Sequence, residues 1–327
     1  MKIHSDKLII LTGGAGFIGS CLLRHLNNLG YSNLIIVDDL GCSEKWKNLV
    51  GKRFREIISK HELMDWLKGK QDVIEAFIHL GACSSTMETN ADYLLENNTR
   101  YSIRLAEYAL TYGHRFIYAS SAATYGDGSK GFLDDESQLE ILEPLNMYGY
   151  SKHLFDLWLK EQKVLDRVVG LKYFNVYGPN EYHKGKMMSA IVKLVPDVLK
   201  DGVIRLFKSN EPGRFKDGDQ VRDFIYVMDA VRMTAKCLTN DITGIYNIGT
   251  GQIYTWNELA RSIQEALNKP VNIEYIDMPK ELEGKYQNYT KAEMGKWLKA
   301  HPDFRPTPLK EAVKDYVCNY LILKKYF

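Results

Sequence analysis

Short apolar runs alternate with amphipathic stretches through the first half of the chain. Leu8–Leu11, Leu34–Val37, Ala76–His79, Phe116–Ala119 and Val168–Tyr173 have the length and composition of buried strands. Between them, Phe17–Leu29, Ala91–Tyr112 and Met147–Lys163 carry apolar residues at helical spacing; in the second of these, Leu94, Leu95, Ile103, Leu105, Ala106 and Leu110 recur every three to four positions or so. Strand and helix in alternation predict βαβ units, hence an α/β fold with a doubly wound parallel sheet. After Gly178-Pro179 the chain turns to loops rich in Gly, Lys and Asn, with helices predicted at Met187–Leu199 and Asn257–Leu267. Val221–Val227, Asp229–Leu238 and Ile245–Ile248 then resume strand–helix–strand order. The pattern predicts two interleaved lobes, residues 1–176 with about 218–250 forming the first and 177–217 with about 251–327 a smaller α/β second.

A length of 327 residues suits two lobes, and 45% hydrophobic with 26% charged residues is a globular composition. No apolar run approaches the roughly 20 residues a membrane-spanning helix needs, and Met1–Lys7 is polar where a signal peptide would be apolar. A cytoplasmic protein without membrane insertion is expected. Cys21, Cys42, Cys83, Cys237 and Cys318 are scattered, with neither CxxC pairs nor histidines at metal-ligand spacing, so reduced thiols and no metal are expected. A formal charge of +2, with Lys and Arg dispersed among acids, argues against nucleic acid and leaves room for an anionic small molecule.

Candidate chemistry begins directly after the first strand, at Thr12-Gly13-Gly14-Ala15-Gly16-Phe17-Ile18-Gly19. Gly13 allows a tight turn, Gly16 lets the backbone approach a pyrophosphate, and Gly19 permits close helix–strand packing; the helix start presents free N–H groups and a positive dipole end. Asp38, 19 positions beyond Gly19 at the end of the second strand, can hydrogen-bond an adenosine ribose. Strand, glycines, helix and distal acid agree on a Rossmann-type dinucleotide-binding lobe. Asp38 and Asp39 favour NAD, whereas Lys45 and Lys47 can neutralise the 2′-phosphate of NADP, and the residues leave that choice open.

Tyr148 and Lys152 stand four apart at the start of a predicted helix and therefore share a face. A nearby ammonium favours the phenolate, which can take a proton from an alcohol as hydride leaves for nicotinamide. Ser121, at a strand end, can bond the same substrate oxygen. With 21 tyrosines in the chain the pair means little alone, and Tyr150 is the natural control, lacking a lysine four residues on.

Together these features resemble the extended short-chain dehydrogenase/reductase family along essentially the whole chain. Gly81-Ala82-Cys83-Ser84-Ser85-Thr86, Tyr118–Gly126, Pro144–Lys152, Tyr173–Pro179, His183-Lys184-Gly185 and Gly284-Lys285-Tyr286-Gln287 are similar to its nucleotide-sugar epimerases. The resemblance implies inversion at C6 of the heptose in an ADP-linked sugar, a step toward lipopolysaccharide core, by a homo-oligomer that keeps NADP tightly bound and regenerates it each turnover. It implies Tyr148 and Lys184 as the two acid/base groups, supported by Lys152 and Ser121. Cofactor contacts fall on Gly13, Gly16, Phe17, Ile18, Gly19, Asp38, Asp39, Lys45, Lys60, Leu80, Gly81, Ala82, Cys83, Ser84, Asn97, Lys152, Val176 and Lys184, and substrate contacts on Asn175, Lys186, Lys193, Phe207, Arg222 and Tyr286. Asp39 stands where the family commonly has an uncharged residue, and Lys186 and Lys193 where a serine and a histidine are expected.

Arg222 suits a diphosphate, since a guanidinium binds two phosphate oxygens at once, or else an ion pair with Asp223 or Asp229. Ala122 and Ala123 follow Ser121 where the family's dehydratases carry an acid pair, so water elimination lacks its acid. Another nucleotide-sugar epimerase or reductase, and a non-catalytic dinucleotide sensor or scaffold, are the competing readings.

Overall fold

In the computed structural model, residues 6–279 and 286–327 are described. The polar start Met1–Ser5 and the Gly284-Lys285 half of one motif lie outside them. Strands are β1 Leu8–Thr12, β2 Leu34–Val37, β3 Glu56–Ile58, β4 Ile74–His79, β5 Arg115–Ser121, β6 Val168–Tyr173, β7 Asn175–Tyr177, β8 Val203–Phe207, β9 Val221–Arg222, β10 Phe224–Tyr226, β11 Gly244–Ile248, β12 Tyr254–Thr255 and β13 Asn272–Ile276. Helices are α1 Phe17–Asn28, α2 Leu63–Trp66, α3 Ala91–Leu94, α4 Tyr101–Thr111, α5 Met147–Glu161, α6 Ala190–Asp201, α7 Val227–Thr239, α8 Trp256–Leu267, α9 Gly295–Ala300 and α10 Leu309–Asp315.

Seven strands form one sheet in the order β11-β6-β5-β4-β1-β2-β3, every neighbouring pair parallel. All residues of β1, β2, β4 and β6 are buried, as strands covered on both faces must be. Side chains alternate between two cores: Ile9, Leu11, Ile36, Ile78 and Ile117 pack on one side, Leu8, Ile10, Ile35, Phe77 and Phe116 on the other. The chain runs from β1 outward through β2 to β3 and then crosses to β4 on the opposite side of β1. Such a reversal opens a crevice at the carboxyl ends of β1 and β4, the usual ligand position in an open α/β sheet.

The late segment departs from its expected course. Val221–Val227 is two short strands in different pairs, β9 antiparallel to β12 and β10 parallel to β7. Asp223 breaks it, because its buried carboxylate turns inward to accept from the backbone N–H of Thr250, Gly251 and Ala292. After α7, β11 joins the large sheet beside β6, so residues 244–248 share a sheet with the strands of the first half of the chain. α6 begins at Ala190, three residues later than predicted, because Tyr182–Met187 is a separate 3-10 turn with Gly185 at a φ of 54°. No helix among the described residues is long and apolar enough to cross a membrane.

Candidate active site

The crevice between β1 and β4 is a cavity of about 550 Å³ lined by Gly13, Gly16–Gly19, Asp38, Lys45, Leu80–Ser85, Ala119–Ser121, Tyr148, Lys152, Val176, His183 and Lys184, among others. A second cavity of about 280 Å³ shares Gly13, Asp38, Lys45 and Gly81–Cys83 with it and adds Asp39, Lys60, Asn97 and Tyr101. Every residue expected at the cofactor lines one of these adjoining spaces.

The glycine turn is a cradle without room for side chains. Gly13 adopts a φ of +70°, and a Cβ there would lie 2.7 Å from the Gly81 nitrogen. At Gly19 a Cβ would fall 2.1 Å from the Gly13 carbonyl oxygen, so this glycine lets α1 pack on the turn itself rather than on the strand. Gly16 is the N-cap of α1 and offers no side-chain cap, and no acid stands in the first turn. Uncapped N–H groups there suit a phosphate. The cradle therefore fits a dinucleotide.

Both acids that follow β2 are already engaged. Asp38 accepts from Ala15 N–H at 2.8 Å and Asp39 N–H at 2.9 Å, and pairs with Lys45 at 2.7 Å. Asp39 accepts from Ser59 at 3.0 Å and pairs with Lys60 at 3.2 Å, while Lys60 also donates to Asn97. Burial raises the Asp39 carboxyl's pKa, but the Ser59 and Lys60 hydrogen bonds outweigh it and hold the group below its ordinary value.

Tyr148 and Lys152 rise from the first turns of α5, which Asn146 caps by accepting from Gly149 N–H at 2.9 Å. Burial raises the Tyr148 hydroxyl's pKa, and a hydrogen bond with Ser121 lowers it. Burial lowers the Lys152 ammonium to about 8, with Asp156 acting in the opposite sense. Its Nζ donates to the Ala119 carbonyl at 2.8 Å, and the group that lowers the Tyr148 hydroxyl is Ser121 rather than the lysine. Tyr150 is exposed at 45% and faces away.

Lys184 reaches the same cavity from the 3-10 turn after β7, its Nζ 5.1 Å from the Phe17 ring centroid. Burial and, less strongly, Lys193 depress its pKa, with Glu181 opposing them. The turn is stitched to the glycine loop by Asn48, whose amide donates to Ala15 O at 2.9 Å and Asn180 O at 3.1 Å and meets His183 Nδ1 at 3.2 Å.

The residues expected at substrate lie elsewhere. Arg222, nearly buried, sits 4.7 Å from the Tyr286 ring centroid and 5.7 Å from that of Trp256, and Tyr286 meets Phe207 edge-on at 6.4 Å. Neither ion pair considered for Arg222 forms: Asp223 accepts backbone N–H groups, and Asp229 takes Arg232 and Thr307. Asn175 donates to Thr290 at 3.0 Å. Lys186 and Lys193 are exposed together, Lys193 donating to the Lys186 carbonyl at 2.7 Å. None of these six lines the two cavities.

Sequence reasoning missed Asn98, Asn48 and Trp256. Asn98 joins Cys83 N and O to Ser151 Oγ, all at 2.9–3.0 Å, tying the cavity loop to α5. A buried Asn within a helical pattern gives no signal of this, since its partners are distant in sequence. His183 was visible in its motif, though without a role.

The chain is similar to known proteins along nearly its whole length. The NAD dependent epimerase/dehydratase family matches residues 9–249. An ADP-L-glycero-D-manno-heptose-6-epimerase of Nitratidesulfovibrio vulgaris is 50% identical over 317 residues, covering 96% of this chain and 98% of the relative. The crystal structure of the Helicobacter pylori protein of that name superposes with a TM-score of 0.80 at 27% identity, over 98% of each chain. A UDP-glucose 4-epimerase of Thermotoga maritima, solved with UDP-glucose, gives 0.79 at 26% identity, over 97% of this chain and 100% of that one.

Proposed function

We propose, because the chain belongs to the NAD dependent epimerase/dehydratase family, that it inverts C6 of the heptose in ADP-D-glycero-D-manno-heptose and so supplies the L-glycero sugar for lipopolysaccharide core. The 50% identity over nearly the full length supports this sugar. Fold likeness does not separate it from 4-epimerases, because TM-scores of 0.80 and 0.79 are equivalent.

The observation that carries the chemistry is the meeting of Tyr148 with Ser121, and of Lys184, in one cavity from separate segments. The dinucleotide supplies a hydride acceptor that becomes the donor in the second half, so no net oxidation remains. Tyr148 takes or returns the proton of the C6 oxygen, with Ser121 holding that oxygen and Lys152, when charged, favouring the phenolate. Inversion requires the C6 carbonyl to present its other face, which turns its oxygen to a new direction. Lys184 is the second acid/base group there, and its burial brings a lysine toward the range where it can exchange a proton. Arg222, which pairs with no carboxylate among the described residues, is held by Tyr286 and Trp256 to receive the diphosphate.

NADP is the dinucleotide this reading favours. Three donors already occupy the Asp38 carboxylate, which leaves it little capacity for ribose hydroxyls, while Lys45 and Lys60 flank the adenosine end. Mass and absorbance of the molecule released on denaturation should identify NADP, and Lys45→Ala should weaken it about 10- to 100-fold, the loss of one charge-assisted hydrogen bond.

Incubation of the cofactor-loaded protein with ADP-D-glycero-D-manno-heptose should give the L-glycero epimer. No conversion with cofactor bound, or conversion of UDP-sugars instead, overturns the assignment.

A further inference from the structure

Behind the tyrosine–lysine pair lies a charged cluster that the proposed chemistry does not use. Asp156, one helical turn beyond Lys152 on α5, and Lys172, next to the last residue of β6, are both fully buried and 2.8 Å apart. Taking two charges out of water is expensive, and apolar residues of equal volume often serve stability as well or better. Stability alone therefore gives a weak reason for such a pair.

Its hydrogen bonds show where it is directed. Asp156 Oδ2 accepts from Ser120 Oγ at 2.7 Å and Oδ1 from Tyr118 OH at 2.9 Å, both on β5. Lys172 Nζ donates to Thr124 Oγ1 at 2.6 Å, and that hydroxyl donates to the Ser121 carbonyl at 2.8 Å. Ser121 is thus gripped on both flanks, by Ser120 before it and Thr124 after it. Lys152 donates to Ala119 of the same strand end. We propose that Asp156, paired with Lys172, is a positioning residue for the active site, fixing the strand end that carries Ser121 and holding a negative charge one turn from Lys152. The inference rests on the reading of Tyr148 and Lys152 as an acid/base pair.

The titratable groups that act on Lys152 or feel it are Asp156 on its own helix and His79 on β4, while Cys83 in the following loop acts on Tyr148. His79, buried between Thr12 and Ser102, is held neutral by desolvation, its pKa lowered to about 3. Asp156 is the group that opposes desolvation of Lys152. Removing its charge should let Lys152 lose its proton at lower pH.

The pH profile of kcat/KM, measured on the full chain with bound cofactor, tests this in wild type, Tyr118→Phe and the double variant Asp156→Asn/Lys172→Met. The double variant removes both charges at once, so no lone buried charge is left. Its alkaline limb should fall by about one pH unit, a tenfold change in the proton equilibrium, and its kcat about tenfold with KM within about twofold. Tyr118→Phe keeps the charges and should leave the limb where it is. Should the double variant fail to melt cooperatively, the limb is read in Asp156→Asn alone, where the remaining Lys172 ammonium should push it lower still. A limb unmoved in the folded variant, or moved equally by Tyr118→Phe, overturns the positioning role while leaving the epimerase reading intact. A cofactor-loaded wild type that turns over no nucleotide sugar overturns that reading, and this inference with it.

Discussion

A tyrosine that burial makes a poorer acid is an awkward base, and Tyr148 is placed so that several groups must act together on it. Ser121 already lowers its pKa, and in the proposed reaction Lys152, lining the same cavity, can favour the phenolate only while it keeps its proton. With the Lys152 pKa lowered to about 8, the ammonium persists below that pH and is lost above it, so kcat/KM should show an alkaline limb near pH 8. Tyr148→Phe should cut kcat by about 10²- to 10⁴-fold, the span of general acid–base assistance, while the released dinucleotide stays the same; a variant with near-normal turnover removes Tyr148 from the reaction. The i, i+4 spacing of this pair was legible in sequence. Its electrostatics were not, because Ala119 reaches the lysine only through the sheet, and the burial that lowers Lys152 comes from tertiary packing.

Among elements, the tight turn at Gly13 was legible, since a positive φ and a close backbone approach depend on local chain geometry. Gly19, by contrast, meets the turn's own carbonyl. Gly19→Ala should accordingly release the dinucleotide during purification, as seen in the loss of its adenine absorbance and mass from the denatured protein. Ala91–Tyr112 shows the opposite case: a helical repeat spans it, but Leu95–Arg100 is a π-helical stretch between α3 and α4. Wide turns of that kind recur at functional sites, and here one carries Asn97 to the smaller of the two adjoining cavities and Asn98 to Cys83 and Ser151. Periodicity averages over such a register shift and cannot reveal it. Asn98→Ala leaves buried partners unsatisfied and should cost about 1–3 kcal/mol, read as a lower denaturant midpoint.

For the whole molecule, the return of the chain to its first sheet was legible because Ile245–Ile248 repeats the apolar signature of the earlier strands. The split of Val221–Val227 was hidden, since its cause is Asp223 meeting backbone from residues 250–292. Placing Arg222 in an aromatic setting depended on the same late contacts, which is why two ion pairs looked equally good for it in sequence.

That return has a consequence for how the polypeptide is made. β6 is bonded on one side by β5 and on the other by β11, some seventy positions later in the chain. A nascent chain released only as far as residue 217 leaves β6 as a long, apolar, unprotected edge, the kind that recruits strands from other molecules. Protein halted at that point should sediment as aggregate even though every residue lining the two adjoining cavities has been synthesised, whereas the chain through Phe327 should not. The strand that closes the sheet thus sets the moment at which the newborn protein ceases to be adhesive.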